Sequence, residues 1–383
     1  MKPRVAIVIV TYNGEAYLPA LFESLRAQTP IESTAIVVVD NASSDRTLAI
    51  LAEEKPRTPN LHVLPQPGNS GFAGGNNTGL AYARSLGVPY AFLLNQDTLV
   101  TPGWLDPLLE VMEGRPDVAA AQPLLVLGED PGRVNSAGNA IHFCGFGYIT
   151  GYRRHVEEVI GDGAVRPVPY ATGAALLLRL AALDQVGDFD EKLFLYHEDL
   201  ELQLRLRHAG WECVLVPTSR VVHKYNATFS PAKYGFMERN RWIVLLQSWP
   251  ASLLWGALPV LVAVEVAVLV FAARAGWLRK KLRGYREVVM QFRRIWETRR
   301  RNLAARSADA SDVEHFTGEM EFEGLDHPII TRIANPVLAT YWRLLKRVVR
   351  PLRKSPRASS ARQSRAETTT PASGDVKWNG RRY

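Results

Sequence analysis

Cysteine is scarce in this chain of 383 residues: only Cys144 and Cys213 are present, without CxxC spacing. That excludes a disulfide scaffold, fits a reducing compartment, and leaves both thiols to be read as inert core residues. The usual phosphate-loop signatures are lacking too. The one glycine-rich stretch, Gly68–Gly79, matches neither a Walker loop nor a GxGxxG fingerprint. No secretory leader is visible, because Val5–Val10 runs straight into Thr-Tyr-Asn-Gly with no basic leader or small-residue cleavage site; the N-terminus is expected in the cytoplasm. Internal repeats are absent. Acidic residues are few in the C-terminal part: from Arg274 onward about 25 Lys and Arg face about 11 Asp and Glu, so the net +8 belongs to the tail and the preceding part is mildly acidic.

Apolar material is ample. The 47% hydrophobic content suffices for a packed core of one large domain or two ordinary ones. Val5–Val10 and Ala35–Asp40 are short β-branched runs bounded by turn residues, as expected of strands buried on both faces. Between them Leu18, Leu21, Phe22 and Leu25 fall at helical spacing within Ala16–Gln28. The pattern continues with a helix at Asp45–Glu54, a strand at Leu61–Leu64, a helix at Thr78–Leu86 and a strand at Tyr90–Leu94. This alternation implies a parallel α/β sheet with ligands beyond the carboxyl ends of its strands. Farther on, a helix is predicted at Leu105–Met112, strands at Val118–Pro123, Gly173–Leu180 and Glu212–Val216, and a helix at Leu200–His208. Asn135–Gly163 reads as an irregular lobe, and the globular unit is expected to close near Pro250.

Polar residues follow three of the strands: Thr11-Tyr12-Asn13, Asp40-Asn41 and Asn95-Gln96-Asp97. In an open parallel sheet these places converge on one crevice. Singly, each also reads as a helix cap or turn. Asp40 is suited to accept hydrogen bonds from a base or ribose. Asp97 is suited, with one or two further ligands, to hold Mg²⁺ or Mn²⁺ between phosphates, since hard cations prefer oxygen ligands. The glycine-rich stretch either brings backbone N–H groups to a phosphate or sugar or is a surface turn. Glu198 and Asp199 fall at the start of a predicted helix, where its dipole favours carboxylate; one reading is a general base, the other an ordinary first-turn acid. His223 ends another apolar run and reads as a structural imidazole or as a metal ligand.

Together these segments resemble the family 2 glycosyltransferases of the GT-A fold, in particular their rhamnosyltransferase-like branch. The matching residues are Val8–Gly14, Val38–Asp45, Asn69–Asn77, Leu94–Asp97, Thr172–Ala174, and Phe189–Glu191 through Glu198-Asp199 to Arg205, in the family's order over about residues 4–250. The resemblance implies a Rossmann-like, mostly parallel sheet with flanking helices and inverting transfer from a nucleotide-activated sugar. It assigns Asp97 to the metal, His223 as a second ligand, and Asp199 as the base with Glu198 beside it. It places Thr11, Tyr12, Asn13, Asp40, Asn41, Gly71, Asn76, Asn95 and Gln96 on the nucleotide-sugar side. Asn95-Gln96-Asp97 looks like the Asn-x-Asp form of the rhamnosyl branch, so dTDP-rhamnose is the expected donor, with galactofuranosyl and N-acetylhexosaminyl transfer as alternatives. Glu201 is expected to support rather than catalyse.

Leu253–Ala273 is long enough to cross a bilayer, yet Glu265 sits in its middle and basic residues follow it. A crossing would strand Arg274, Arg279, Lys280, Lys281, Arg283 and Arg286 on the side opposite a cytoplasmic catalytic part. Attachment to the inner face, with basic residues on anionic lipid, is therefore preferred over a span or a buried core helix. The expected organisation is a catalytic domain over 1–250, a membrane-associated segment over 251–290, a basic helical tail over 291–354 with an amphipathic stretch at Tyr341–Arg350, and a disordered end at Ser355–Tyr383. The acceptor would be lipid-linked or a polysaccharide, in envelope glycan assembly. A noncatalytic glycan-binding scaffold is the rival from another class. Nucleic-acid binding is disfavoured, because the tail's charge is not interleaved with an aromatic platform.

Overall fold

The computed structural model describes residues 3–29, 33–225, 230–306, 312–320 and 330–349; the expected disordered end, Ser355–Tyr383, lies outside them. Strand β1 (Val5–Thr11), helix α1 (Leu18–Gln28), β2 (Thr34–Asp40), α2 (Thr47–Glu54), β3 (Leu61–Pro65), α3 (Gly71–Ser85) and β4 (Tyr90–Leu94) alternate as the residue pattern predicts. The four strands are parallel in the order β3-β2-β1-β4, with Val5 opposite both Thr34 and Tyr90. Successive β1 residues serve opposite cores. Val5, Ile7 and Ile9 pack with Leu18, Phe22 and Leu25 of α1, whereas Ala6 and Val8 pack with Ala73, Leu80 and Ala83 of α3. Two-sided burial is why these strands are unbroken apolar runs.

Helix α3 starts seven residues earlier than Thr78, because its glycines are packing residues rather than breakers. A Cβ on Gly75 would stand 2.6 Å from Val10 Cγ1, and one on Gly79 would collide with Val8. The absent side chains let the helix lie on β1, which offsets the roughly 1 kcal/mol that each helical glycine costs relative to alanine.

Beyond β4 the sheet is mixed rather than parallel. The chain continues through β5 (Thr98–Val100), α4 (Asp106–Gly114), β6 (Val118–Leu127), β7 (Val134–Ser136), β8 (Asn139–His142), β9 (Gly147–Ile149), α5 (Val156–Ile160), β10 (Arg166–Pro167), β11 (Ala175–Arg179), α6 (Leu180–Val186), α7 (Glu198–His208) and β12 (Glu212–His223). Strand β11 inserts between β4 and β6, antiparallel to both, and β12 runs parallel to β6. The predicted strand at Glu212 continues seven residues past Val216. Its register against β6 shifts between Val216 and Arg220, which absorbs Pro217 in a bulge, and it then pairs with β5. The lobe expected to be irregular carries β8, β9 and α5, and β8 and β9 form a small sheet with β13 (Phe316–Thr317).

Helices α8 (Pro231–Ser248), α9 (Ala251–Arg274), α10 (Leu278–Met290), α11 (Phe292–Ala304) and α12 (Asn335–Val349) build a third core with the lobe, in which Phe143, Ile243, Leu245, Leu253, Ile295 and Trp342 meet. Helix α9 is long and apolar enough to cross a membrane. Its inner face, Leu253, Ala257 and Leu261, is buried on the protein, while Trp255, Val262 and Val266 face outward. Glu265 turns inward. It meets Arg241 Nη2 at 2.6 Å and Lys281 Nζ at 2.5 Å, and both cations also hold Glu238. Burial alone would push Glu238 up, but Arg241 and Lys281 hold its carboxyl down at about 2. Charged groups placed this deep persist only as a mutually satisfied set.

Candidate active site

The crevice begins at the ends of β1, β2 and β4. Gln96 ties the first to the last: Thr11 Oγ1 donates to Gln96 Oε1 at 2.6 Å, Tyr12 N–H donates to the same oxygen at 3.1 Å, and Gln96 Nε2 returns a bond to Tyr12 O at 3.4 Å. Tyr12 is thereby held about half exposed (48%). Asn13 adopts a left-handed φ of 51°, and its Oδ1 accepts from Ser44 N–H at 2.9 Å. Asp40 is buried, with its carboxylate capped by the N–H and hydroxyl of Ser43. Each of its oxygens keeps a second acceptor position.

Three expected ligand-side residues are committed elsewhere. Asn41 donates to Gly71 O at 2.9 Å and accepts from Ser70 Oγ at 3.1 Å, so its amide fixes the turn into α3. Asn76 is buried inside α3 and donates to Phe72 O, one turn back. Gly71, at φ 74°, starts the helix where any Cβ would strike Phe194. The reason is common to all three: the stretch is helix packed on β1, not an open loop. Asn95, Gln96 and Asp97 remain half-buried at the end of β4.

Asp97 Oδ1 lies 3.4 Å from His223 Nε2, and Asp97 O accepts from Lys224 N–H at 2.8 Å. Pairing of β12 with β5 puts His223 opposite Thr98, which is how residues more than a hundred positions apart become neighbours. His223 Nδ1 bonds Asn135 Oδ1 at 2.9 Å, an outer partner that fixes the ring and turns Nε2 to the carboxylate. Among the described residues no group of three or more His, Cys, Asp or Glu could hold a metal. The pair fits a hard divalent cation whose other ligands are diphosphate oxygens and water, rather than an all-protein cage.

Glu198 and Asp199 occupy the first turn of α7. Asp199 Oδ2 accepts from Gly173 N–H at 3.1 Å, and Oδ1 from Leu200 N–H at 2.8 Å. One residue beyond Gly173, Ala174 O accepts from Asn95 N–H at 2.9 Å. Through this junction of β11 with β4 the base candidate and the Asn95-Gln96-Asp97 turn share one anchorage. Gly173 leaves room for the Phe72 ring, whose tip would stand 2.8 Å from a Cβ there and would have to shift. Burial raises both acids above the usual carboxylate range, and the Asp199 charge pushes Glu198 further; Glu198 Oε2 is buried without a hydrogen-bond partner. Two like charges this close share a proton more readily than they both ionise.

The loop that presents this pair was not legible beforehand. Phe194, Tyr196 and His197 all take left-handed φ values of 64°, 69° and 67°, each costing on the order of 1 kcal/mol for a side chain other than glycine. Asn240 of α8, fully buried, holds the loop: its Nδ2 donates to the carbonyls of Leu193, Leu195 and Tyr196 at 2.8, 2.9 and 2.6 Å. Arg239 adds bonds to Lys192 O and Leu193 O. Burial holds His197 down at about 4, so its neutral ring donates Nε2–H to Gly145 O at 3.3 Å. Glu201 grips Arg205, whose guanidinium also caps the carbonyls of Val186, Gly187 and Asp188, so this pair braces α7. No local motif announces Asn240 or Asn135. Ser43 alone carried a signal, the Asp–x–x–Ser spacing of a turn.

An α/β sheet of this order, with polar strand ends and an acidic helix start on one crevice, defines a GT-A-like transferase. A model described as glycosyl transferase family 2 matches residues 6–160, and one described as glycosyl transferase family group 2 matches residues 90–279. The chain belongs to the family 2 glycosyltransferases. It is 29% identical over 279 residues to an N-acetylglucosaminyl-diphospho-decaprenol L-rhamnosyltransferase of Mycobacterium tuberculosis, covering 65% of this chain and 87% of that protein. It is 26% identical over 231 residues to the rhamnosyltransferase WbbL of Escherichia coli K12, covering 57% and 83%. In fold it is similar to the crystal structure of GalNAc-T7 with UDP, GalNAc and Mn²⁺, at a TM-score of 0.53 and 16% identity, over 64% of this chain and 48% of that one. The chain thus matches about half the length of that protein.

Proposed function

We propose that this glycosyltransferase moves rhamnose from dTDP-rhamnose, with inversion, to a hydroxyl of a lipid-linked glycan acceptor in envelope glycan synthesis, at the cytoplasmic face of the membrane. The observation that carries the reading is the shared anchorage of Asp97 and Asp199 at the β4–β11 junction. The transferred sugar is taken from the names of the two rhamnosyltransferase relatives, and the acceptor class, an N-acetylglucosaminyl diphosphate on a polyprenol, from the name of the mycobacterial one; dTDP as its carrier follows from the resemblance to the rhamnosyl branch.

Asp97 and His223 would hold Mg²⁺ or Mn²⁺, which when bound neutralises charge developing on the departing nucleoside diphosphate. Tyr12, fixed by Gln96, is positioned to cover the nucleoside, and Asp40 to accept from it. Asp199 takes the proton from the acceptor hydroxyl as that oxygen bonds the anomeric carbon and the bond to diphosphate breaks. Its two backbone donors aim the carboxylate. The outward face of α9 would rest on anionic lipid with the basic residues that follow it, except Lys281, which is buried in its pairs with Glu238 and Glu265.

The test is nucleoside diphosphate release by the purified protein, with Mg²⁺ or Mn²⁺ and a panel of sugar nucleotides, in the presence of a diphosphate-linked N-acetylglucosamine acceptor. Release confined to dTDP-rhamnose supports the reading. Release with a galactofuranose or N-acetylhexosamine donor instead replaces the sugar, and no release with any donor favours a binding scaffold.

A further inference from the structure

Between the two acidic ends lies a cation that the mechanism above does not use. Lys233, in the first turn of α8, stands 5.8 Å from the ring centroid of Tyr196 and 5.6 Å from that of Tyr225, with its Nζ 3.5 Å from Tyr225 Oη. Ser230 caps that turn by accepting from Lys233 N–H. Tyr225 packs 5.5 Å from His223, the partner of Asp97, and 6.3 Å edge-on to Tyr152. Tyr196 immediately precedes His197, Glu198 and Asp199 in the loop held by Asn240. The lysine therefore touches the metal-pair side through one ring and the base side through the other. Among the described residues no carboxylate forms an ion pair with it. A half-buried ammonium held by two ring faces and one long bond to a tyrosine hydroxyl keeps two of its three hydrogens for a strong acceptor.

We infer that Lys233, caged by Tyr196 and Tyr225, is the subsite for the acceptor's phosphate, so that the enzyme takes a glycosyl diphosphate rather than a neutral glycan. An ammonium is a point-charge binder of phosphate, and tyrosine faces pack against the apolar face of a sugar ring. Location argues for the acceptor over the donor. The residues expected to meet the nucleoside lie at the ends of β1 and β2, whereas the cage is built from the residue pair after β12, the loop before α7 and the start of α8. Helix α8 leads from Lys233 to Arg241, which grips Glu265 of the outward-facing α9; eight residues of helix make this path about 12 Å long. A diphosphate whose lipid tail lies in the bilayer would reach the cage from that side.

This inference rests on the acceptor reading above, and the test separates the two. The full-length protein is assayed in detergent with dTDP-rhamnose and two acceptors, a short-chain alkyl-diphospho-N-acetylglucosamine and the alkyl N-acetylglucosaminide without phosphate. Wild type should prefer the diphosphate. In Lys233→Met that preference, measured as the ratio of kcat/KM values, should fall about tenfold to a hundredfold through the KM of the diphosphate acceptor, and Lys233→Arg should restore much of it. Tyr225→Leu, which opens one wall of the cage, should lower it less and serves if the first variant does not fold. An unchanged preference, or an equal loss on both acceptors, overturns the subsite. A rise in the donor KM instead assigns the ammonium to the donor's diphosphate and also overturns it. A wild-type enzyme that uses dTDP-rhamnose but does not prefer the diphosphate refutes the acceptor reading, and activity retained in Asp199→Asn refutes the base.

Discussion

Asp97 and Asp199 reach the same strand junction by opposite means. Asp97 stands at the end of a regular strand, and its partner His223 arrives through the register of β12 on β5, so ordinary sheet geometry sets that end. Asp199 depends on a loop with three left-handed residues, clasped by one buried amide from a helix some forty positions downstream. The first end is rigid by default. The second exists only while tertiary bonds oppose its strain, and this difference says where the enzyme is most easily damaged without losing its fold.

The largest expected effect is at the strained end. Asp199→Asn should lower kcat by about 10² to 10⁴-fold, with nucleoside diphosphate affinity, read by calorimetry, nearly unchanged. Asn240→Ala should follow at up to about 100-fold in kcat through misplacement of the loop, again sparing nucleotide affinity; equal damage to both quantities would erase the distinction between the ends. At the regular end, Asn135→Leu should weaken Mn²⁺ or Mg²⁺ affinity by about tenfold to a hundredfold, measured by metal titration of activity, and EDTA should abolish turnover. The mildest effect concerns pH. Because burial raises Glu198 and Asp199, the ionised base is lost as pH falls through an elevated pKa, so the acid limb of kcat should lie above the ordinary carboxylate range. Glu198→Gln should leave that limb in place, because burial and not a Glu198 charge raises Asp199, and Glu198 is already neutral where Asp199 titrates.

The same contrast explains what could be read beforehand. Strands β1, β2 and β4 and helix α1 appear in the sequence because two-sided burial and helical spacing are written in consecutive residues. The start of α3 does not, since Gly74, Gly75 and Gly79 look like a loop until Val8 and Val10 are seen beneath them. The antiparallel insertion of β11 and the extension of β12 past Pro217 depend on partners far along the chain. Within the site, Asp97, Asp199 and His223 fall at strand or helix ends and were foreseeable as candidates. Asn41 and Asn76 look identical to ligand-binding amides in a one-dimensional string, and only packing shows that they are spent on the fold. Asn135 and Asn240 act across long separations and leave no local trace.

The bulge in β12 carries one last implication. Between Val216 and Arg220 the strand holds three more residues than β6 opposite it, an odd number, which inverts the phase of everything downstream. Excising a single residue there would rotate the strand's tip by half a turn, draw Lys224 into the slot of His223 and present an ammonium to Asp97 in place of an imidazole. A one-codon deletion far from either acid could thus silence the enzyme while sparing every side chain that performs the chemistry.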